Sequence, residues 1–214
     1  MAKEVKIKLL KVSVIALLVL VIDQVSKILV KTGMALYQEI EITNWFYIRF
    51  VENPGMAFGI ELFDKMFLTL FRIAALIPIG YGIYYTIKKG FHFGFTVAVA
   101  LIFAGALGNI IDCVFYGVWF NSSMGQVATF FPEGGGYAPL FYGKVVDMLY
   151  FPLFEITFPS WAPLIGNASF SFFDPVFNIA DSAVCIGVFY IILFQRKYLT
   201  SSGKEENLNK EGDL

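Results

Sequence analysis

The sequence predicts a membrane α-helical protein, with four transmembrane helices and two long outer loops, the first carrying a small β-sheet. Three observations predict it. Hydrophobic residues fill 57% of the 214 positions and charged residues only 15%, against about 25% charged in ordinary globular domains. Four segments approach the roughly 20 apolar residues that cross a bilayer. Lysines and arginines gather at alternate ends of those segments, as in membrane proteins of fixed orientation. The 24 phenylalanines exceed what a soluble core of this length needs. A net charge of -1 without a basic stripe argues against a nucleic-acid partner.

The spans fall at about 10–31, 66–87, 93–113 and 176–194, the third with room to continue to Phe120. The first has the outline of a signal peptide: Lys3, Lys6, Lys8 and Lys11 precede an apolar stretch from Val12. That stretch runs past Asp23 to Val30, longer than a signal h-region, and no small-residue cleavage site closes it. It reads as a retained span. The N-terminal lysines, Lys88–Lys89 and Arg196–Lys197 then mark the cytoplasmic side, with both termini inside. The loops at about 32–65 and 114–175 face outward.

The first outer loop has strand character. Glu39-Ile40-Glu41-Ile42 alternates, and Trp45 to Val51 is aromatic and β-branched, which reads as one or two strands at the membrane surface. Asn53-Pro54-Gly55 is a turn signal. In the second loop, Glu133-Gly134-Gly135-Gly136 reads as a flexible turn. Phe151-Pro152, Phe158-Pro159 and Trp161-Ala162-Pro163 suit a wall at the interface. The polar tail, 200–214, reads as disordered and cytoplasmic. Cys113 and Cys185 lie in apolar runs and read as buried free thiols. No zinc spacing exists, and His92 sits beside Lys88 and Lys89 in a solvated loop. Neither metal nor cofactor is expected.

Ionisable groups inside a span cost about 2.5–3.5 kcal/mol each on insertion scales, so each needs a reason. Asp23, Lys27, Asp112 and Asp181 lie in or at the edge of one, and Asp147 lies in the apolar run Val145–Tyr150. Asp23 and Lys27 are four apart and share a helix face; an internal ion pair and substrate contact both explain them. Arg49 and Arg72 can snorkel to headgroups. Asn53-Pro54-Gly55-Met56-Ala57-Phe58-Gly59 is either a plain turn or a backbone-lined substrate groove. In Gly105-Ala106-Leu107-Gly108-Asn109 the glycines fit close helix packing, whereas Asn109 and Asp112 read as braces for a polar site. Asn178 is a candidate N-cap, and Asp181 in the first turn of the last helix complements its dipole.

Two aspartates meeting at one site offer a second explanation. Like charges at close range do not both ionise easily, so the pair shares a proton. The ionised member takes a proton from water, while the protonated member hydrogen-bonds a scissile carbonyl and then serves the leaving amine. Asp147 and Asp181 both sit in an apolar, outward-side context, but spacing alone does not bring them together.

Five blocks in order now carry a resemblance. They are Asp23-Gln24-Val25-Ser26-Lys27, then Asn53-Pro54-Gly55-Met56-Ala57-Phe58-Gly59, then Gly105-Ala106-Leu107-Gly108-Asn109-Ile110-Ile111-Asp112. Val145-Val146-Asp147 and Phe177-Asn178-Ile179-Ala180-Asp181-Ser182 follow. Each is weak alone; together they resemble the lipoprotein signal peptidase (signal peptidase II) family, the aspartyl peptidases of bacterial inner membranes. The resemblance implies a single membrane domain over 1–199, with four transmembrane helices, a small periplasmic β-sheet and extended periplasmic loops. It implies a catalytic pair at Asp147 and Asp181 near the periplasmic face. Asp23, Lys27, Asn53, Gly55, Gly108, Asn109, Asp112, Asn178 and Ala180 become candidate supports for substrate or pair. The implied substrate is a diacylglyceryl-modified prolipoprotein, cut just before its lipidated cysteine. Membrane phospholipids and a globomycin-type inhibitor are the other implied partners, and a monomer is the expected state.

Two departures stand out. The family usually carries arginine after the aspartate of the Gly108–Asp112 block, and here the residue is Cys113; Lys144, Arg49 and Arg72 are the candidate replacements. The outer segments flanking Asp147 are longer than usual, as in Bacteroidetes-type members, and serve as a lid, a docking surface or mere elaboration. Three rivals compete. Other intramembrane aspartyl peptidases carry a G-x-G-D motif, which is absent. A transporter or channel would spread its charges through the membrane and show inverted repeats. An inactive homologue or scaffold is the third.

Overall fold

The computed structural model describes residues 2–55, 64–152, 154–157, 159–161, 169–172 and 175–198. Met56-Ala57-Phe58-Gly59, Phe158, Ala162-Pro163 and the tail 200–214 lie outside the described residues. Four helices cover the apolar segments. Helix α1 (Ala2–Gly33) starts ahead of the expected boundary, while α2 (Lys65–Lys88) matches it closely. Helix α3 (Phe93–Ile111) passes through a π-helical turn, Asp112–Tyr116, into α4 (Gly117–Trp119). Helix α5 (Ile179–Phe194) follows the second outer loop.

Two of these, Lys65–Lys88 and Phe93–Trp119, are long and apolar enough to cross a membrane, and Ile179–Phe194 is apolar but shorter. Only 6% of the apolar window of α2 is buried, and Leu17, Leu29, Ile77, Phe189 and Leu193 are all well exposed. Apolar surface on this scale needs lipid or a partner to cover it. The same outward face corrects one expectation: Cys113 is buried, but Cys185 is exposed, because it lies on the apolar side of α5 turned away from the protein.

The contacts divide the chain into two units. The helical unit comprises Met1–Leu20, Ala74–Leu107 and Ala180–Leu214. Small residues bring backbones together there. A Cβ on Gly105 would sit 2.2 Å from the Ala180 carbonyl oxygen, and one on Gly187 would sit 2.6 Å from that of Ala98. This is the close approach that small residues permit between membrane helices.

The second unit, Val21–Ile73 with Gly108–Ile179, holds the sheets. Strands β1 (Glu39–Thr43), β2 (Phe46–Asn53) and β3 (Val145–Tyr150) form an antiparallel sheet in that order. Asp147 pairs with Val51, and the register slips between Ile48 and Val51. Phe177 bridges to Leu149 of β3, its carbonyl accepting from Met148 N–H at 3.0 Å and Leu149 N–H at 2.7 Å. Val146 and Met148 enter a core with Met34, Phe50, Tyr116 and Phe120. Strand periodicity therefore sends Asp147 to the opposite face. A separate hairpin joins β4 (Phe154–Thr157) to β5 (Ser169–Phe172).

The π turn is what attaches the second loop. Carbonyls near the end of a helix lack intrahelical donors, and the loop supplies donors. Gly143 N–H reaches the Cys113 carbonyl at 2.8 Å, Phe141 N–H that of Val114 at 3.1 Å, and Ala138 N–H that of Gly117 at 3.0 Å. A Cβ on Gly136 would lie 2.0 Å from the Gly117 carbonyl oxygen, so Gly136 is a packing position and not part of a flexible turn. A Cβ on Gly143 would lie 2.1 Å from the Asp112 carbonyl oxygen, whereas nothing lies within 4 Å of one on Gly134. Gly143→Ala is expected to destabilise by about 1–3 kcal/mol through overpacking, and Gly134→Ala to be near neutral. Thermal unfolding in detergent checks both, and equal midpoints for the two variants would contradict the attachment.

Candidate active site

Asp23, Lys27 and Lys31, in the second half of the first helix, are buried and paired. Lys27 Nζ lies 2.9 Å from Asp23 Oδ2 and 2.8 Å from Asp112 Oδ2, and donates to Asn109 Oδ1 at 2.8 Å. All three ionic groups are 0% exposed. The i,i+4 pair is therefore real, and it extends to α3. Gln24 completes it, donating to Asp112 Oδ1 at 2.9 Å and to the Gly108 carbonyl at 3.2 Å. Tyr116 hydroxyl donates to Gln24 Oε1 at 3.2 Å. Gln24 and Tyr116 were not singled out from sequence, although Gln24 lies within the first matching block.

This network reaches β3 and Asp147. Val146 N–H donates to Asp112 Oδ2 at 3.2 Å. Asn178 Nδ2 donates to Asp147 Oδ1 at 2.7 Å, Asn109 Oδ1 at 3.1 Å and the Val146 carbonyl at 3.3 Å. Asp147 is 4% exposed and Asn178 fully buried. Asn178 thus ties the strand to the start of α5, where Ala180 is buried and Asp181 stands in the first turn, half-buried. At the end of β2, Asn53 Oδ1 accepts the Gly55 N–H at 2.8 Å, and Gly55 adopts φ +84°. That turn needs glycine.

A second buried cation sits one helical turn beyond Lys27. Lys31 is fully buried, ion-paired with Glu52 and bonded to Ser123 Oγ at 3.0 Å. Its ammonium lies over the rings of Phe50, Phe120 and Tyr137, at 5.6, 5.3 and 5.0 Å from their centroids. Lys144 Nζ meets the other Glu52 oxygen at 3.1 Å. The Asp23–Lys27–Lys31 spacing of four was the available signal for this site. Burial would raise the Glu52 carboxyl, but the Lys31 and Lys144 ammonium groups outweigh it and hold Glu52 below its usual range.

The three candidate replacements for arginine at residue 113 separate cleanly. Lys144 is taken by Glu52. Arg49 pairs with Glu39 at 3.3 Å and lies over the Tyr150 ring. Arg72 alone reaches residue 113: Nη1 donates to Cys113 Sγ at 3.2 Å, and Nη2 to the Gly55 carbonyl at 3.4 Å.

Lys27→Met would leave Asp23 and Asp112 buried without their shared cation. Breaking a buried ion pair in this way costs about 3–5 kcal/mol, so the variant is expected to unfold at markedly lower temperature or denaturant; an unchanged midpoint would remove the network's bracing role. For Glu52, the folded carboxyl titrates below its unfolded value of about 4.3. Its contribution is complete above that unfolded value and lost as pH falls through the folded one. Glu52→Gln is therefore expected to be less stable than wild type at pH 7, with the gap narrowing below about pH 4.3. Unfolding across pH measures it.

Comparisons with known proteins show the family. The family model described as Signal peptidase (SPase) II matches residues 15–196. A lipoprotein signal peptidase of Porphyromonas gingivalis is 53% identical over 186 residues, covering 85% of this chain and 81% of its own. That of Amoebophilus asiaticus is 39% identical over 195 residues, covering 85% and 76%. A bacterial membrane enzyme structure obtained by the in meso method at 1.9 Å matches with a TM-score of 0.58 and 30% identity, over 86% of this chain and 90% of that one. The Porphyromonas relative accords with the Bacteroidetes-type resemblance. The chain belongs to the signal peptidase II family.

Proposed function

We propose that Asp147 and Asp181 carry the chemistry of this enzyme. The protein is an aspartic endopeptidase of a bacterial membrane that removes signal peptides from prolipoproteins. The cut falls just before a diacylglyceryl-modified cysteine. One carboxylate takes a proton from water as the water oxygen attacks the scissile carbonyl. The other, protonated, hydrogen-bonds the developing oxyanion, and the leaving amine then receives a proton as the C–N bond breaks. The observation that carries the assignment is the setting of Asp147. It is a nearly buried carboxylate, oriented by Asn178 at 2.7 Å, three residues before Asp181. Asp23, Lys27, Gly108, Asn109 and Asp112 brace this carboxylate through Val146 and Asn178. Asn53 and Gly55 shape the turn at the end of the neighbouring strand. Ala180 keeps the start of α5 compact.

The same reading has four spanning helices, both termini cytoplasmic, and one domain over 1–199 in the inner membrane. The apolar exposed faces of α1, α2 and α5 support it. So does chemistry: acyl chains stay in lipid while the peptide bond meets water. Phospholipid surrounds a monomer, and a globomycin-type cyclic peptide competes for the site. Purified wild type is expected to cleave a diacylglyceryl prolipoprotein before the modified cysteine, read by mass. Asp147→Asn and Asp181→Asn are each expected to lose about 10²–10⁴-fold in rate while remaining folded. Either variant retaining wild-type rate would remove that residue from the pair.

A further inference from the structure

Among the described residues, Arg72 has no anionic partner. Lys27, Lys31, Arg49 and Lys144 each meet a carboxylate within 4 Å, whereas Arg72 meets none among the described residues. Its two bonds go to uncharged acceptors, a thiol at 3.2 Å and a carbonyl at the long distance of 3.4 Å. A guanidinium has five N–H donors, so most of its capacity is unspent. Lys65 lies two turns earlier on the same face of α2, also without a carboxylate of the described residues in ion-pair range, and Thr69 between them bonds the Phe141 carbonyl at 3.0 Å. This face therefore carries surplus positive charge where it packs on the second loop. A cation left half-buried in this way is costly unless an acceptor arrives to use it.

The guanidinium is held in place. A Cβ on Gly55 would fall 3.0 Å from Arg72 Nη2, and Cys113 anchors the other nitrogen. Cys113 adjoins Asp112, whose Oδ2 accepts the N–H of Val146, next to Asp147. The free donors are thus fixed a few residues' contact from the proposed catalytic carboxylate, near the outer end of a spanning helix. We infer that Arg72 binds the ester carbonyls of the diacylglyceryl group on the substrate cysteine, an inference resting on the peptidase reading above. Ester carbonyls are acceptors of the uncharged class the guanidinium already engages, and a diacylglyceryl group presents two of them at the depth where acyl chains meet glycerol. Bilayer phospholipids carry the same esters, so the source must be distinguished.

The test uses the full-length protein and two prolipoproteins that differ only in the lipid, diacylglyceryl or dialkyl-ether glyceryl, the latter lacking the carbonyls. Wild type is expected to show a KM roughly tenfold lower for the diester, the scale of a charge-assisted hydrogen bond, with similar kcat. Arg72→Gln is expected to erase that difference by raising the diester KM alone, and Arg72→Lys to keep part of it. A merely structural arginine would not move the diester–ether ratio. Arg72→Gln keeping the wild-type ratio, or wild type showing none, would overturn the inference. If Arg72→Gln does not fold, an Arg72→Lys variant with the full wild-type ratio overturns it equally. A preference that follows the esters of the surrounding vesicle lipid, tested in diether against diester phosphatidylcholine, assigns Arg72 to the bilayer and rejects the substrate. Wild type that cleaves neither substrate rejects the peptidase reading itself.

Discussion

One ammonium group organises the sheet-bearing unit. Lys27 holds a carboxylate from its own helix and one from the π turn that follows α3, both completely buried. Two carboxylates share one ammonium, and neutral donors serve their remaining acceptor capacity: Gln24 on one Asp112 oxygen, Val146 N–H on the other. That last bond matters most. By drawing a backbone N–H of β3 onto the π turn, it fixes the strand residue immediately before Asp147. Asn178 then reads the position of Asp147 and of Asn109 together. An electrostatic necessity, keeping charges satisfied away from water, thereby sets the placement of a carboxylate that is not itself part of the ion pair.

Lys31 does a parallel task with different means. Its cage of Phe50, Phe120 and Tyr137 comes from β2, the end of the long helix and the second loop. Cation–ring attraction strengthens when the site is desolvated, and Glu52 supplies the counter-charge. Tyr137 also accepts the Lys144 N–H at 2.7 Å. The second loop is therefore fastened over 137–144 both by the helix end and by this cluster.

Helix α2 was legible almost to the residue because length and apolarity are additive signals that need no tertiary context. The strand character of β1 and β2 was legible through alternation and aromatics; their pairing was not. Strand β3 was not, because Val145–Tyr150 is covered on both faces and loses the period-2 pattern. Asp147 could be named from its block, but not its bond to Asn178, since side-chain contacts between segments far apart in sequence leave no local trace. Gly136 read as part of a flexible turn because a glycine run signals freedom and tight packing identically; the neighbouring carbonyl decides. The replacement for the missing arginine stayed open among three cations until geometry assigned two of them to carboxylates. The π turn had no signature at all.

That turn has a consequence for how the helix is probed. A five-residue winding inserts one residue into a helix otherwise advancing by about 100° per residue. Residues before Asp112 and after Tyr116 are thus out of phase. A cysteine-labelling or tryptophan scan along Phe93–Trp119, fitted to a single helical period, would show its accessible stripe jumping sideways near residue 114. The jump would be a property of the winding, not a hinge or a change of neighbour, and shifting the phase once at the π turn would restore a single continuous face.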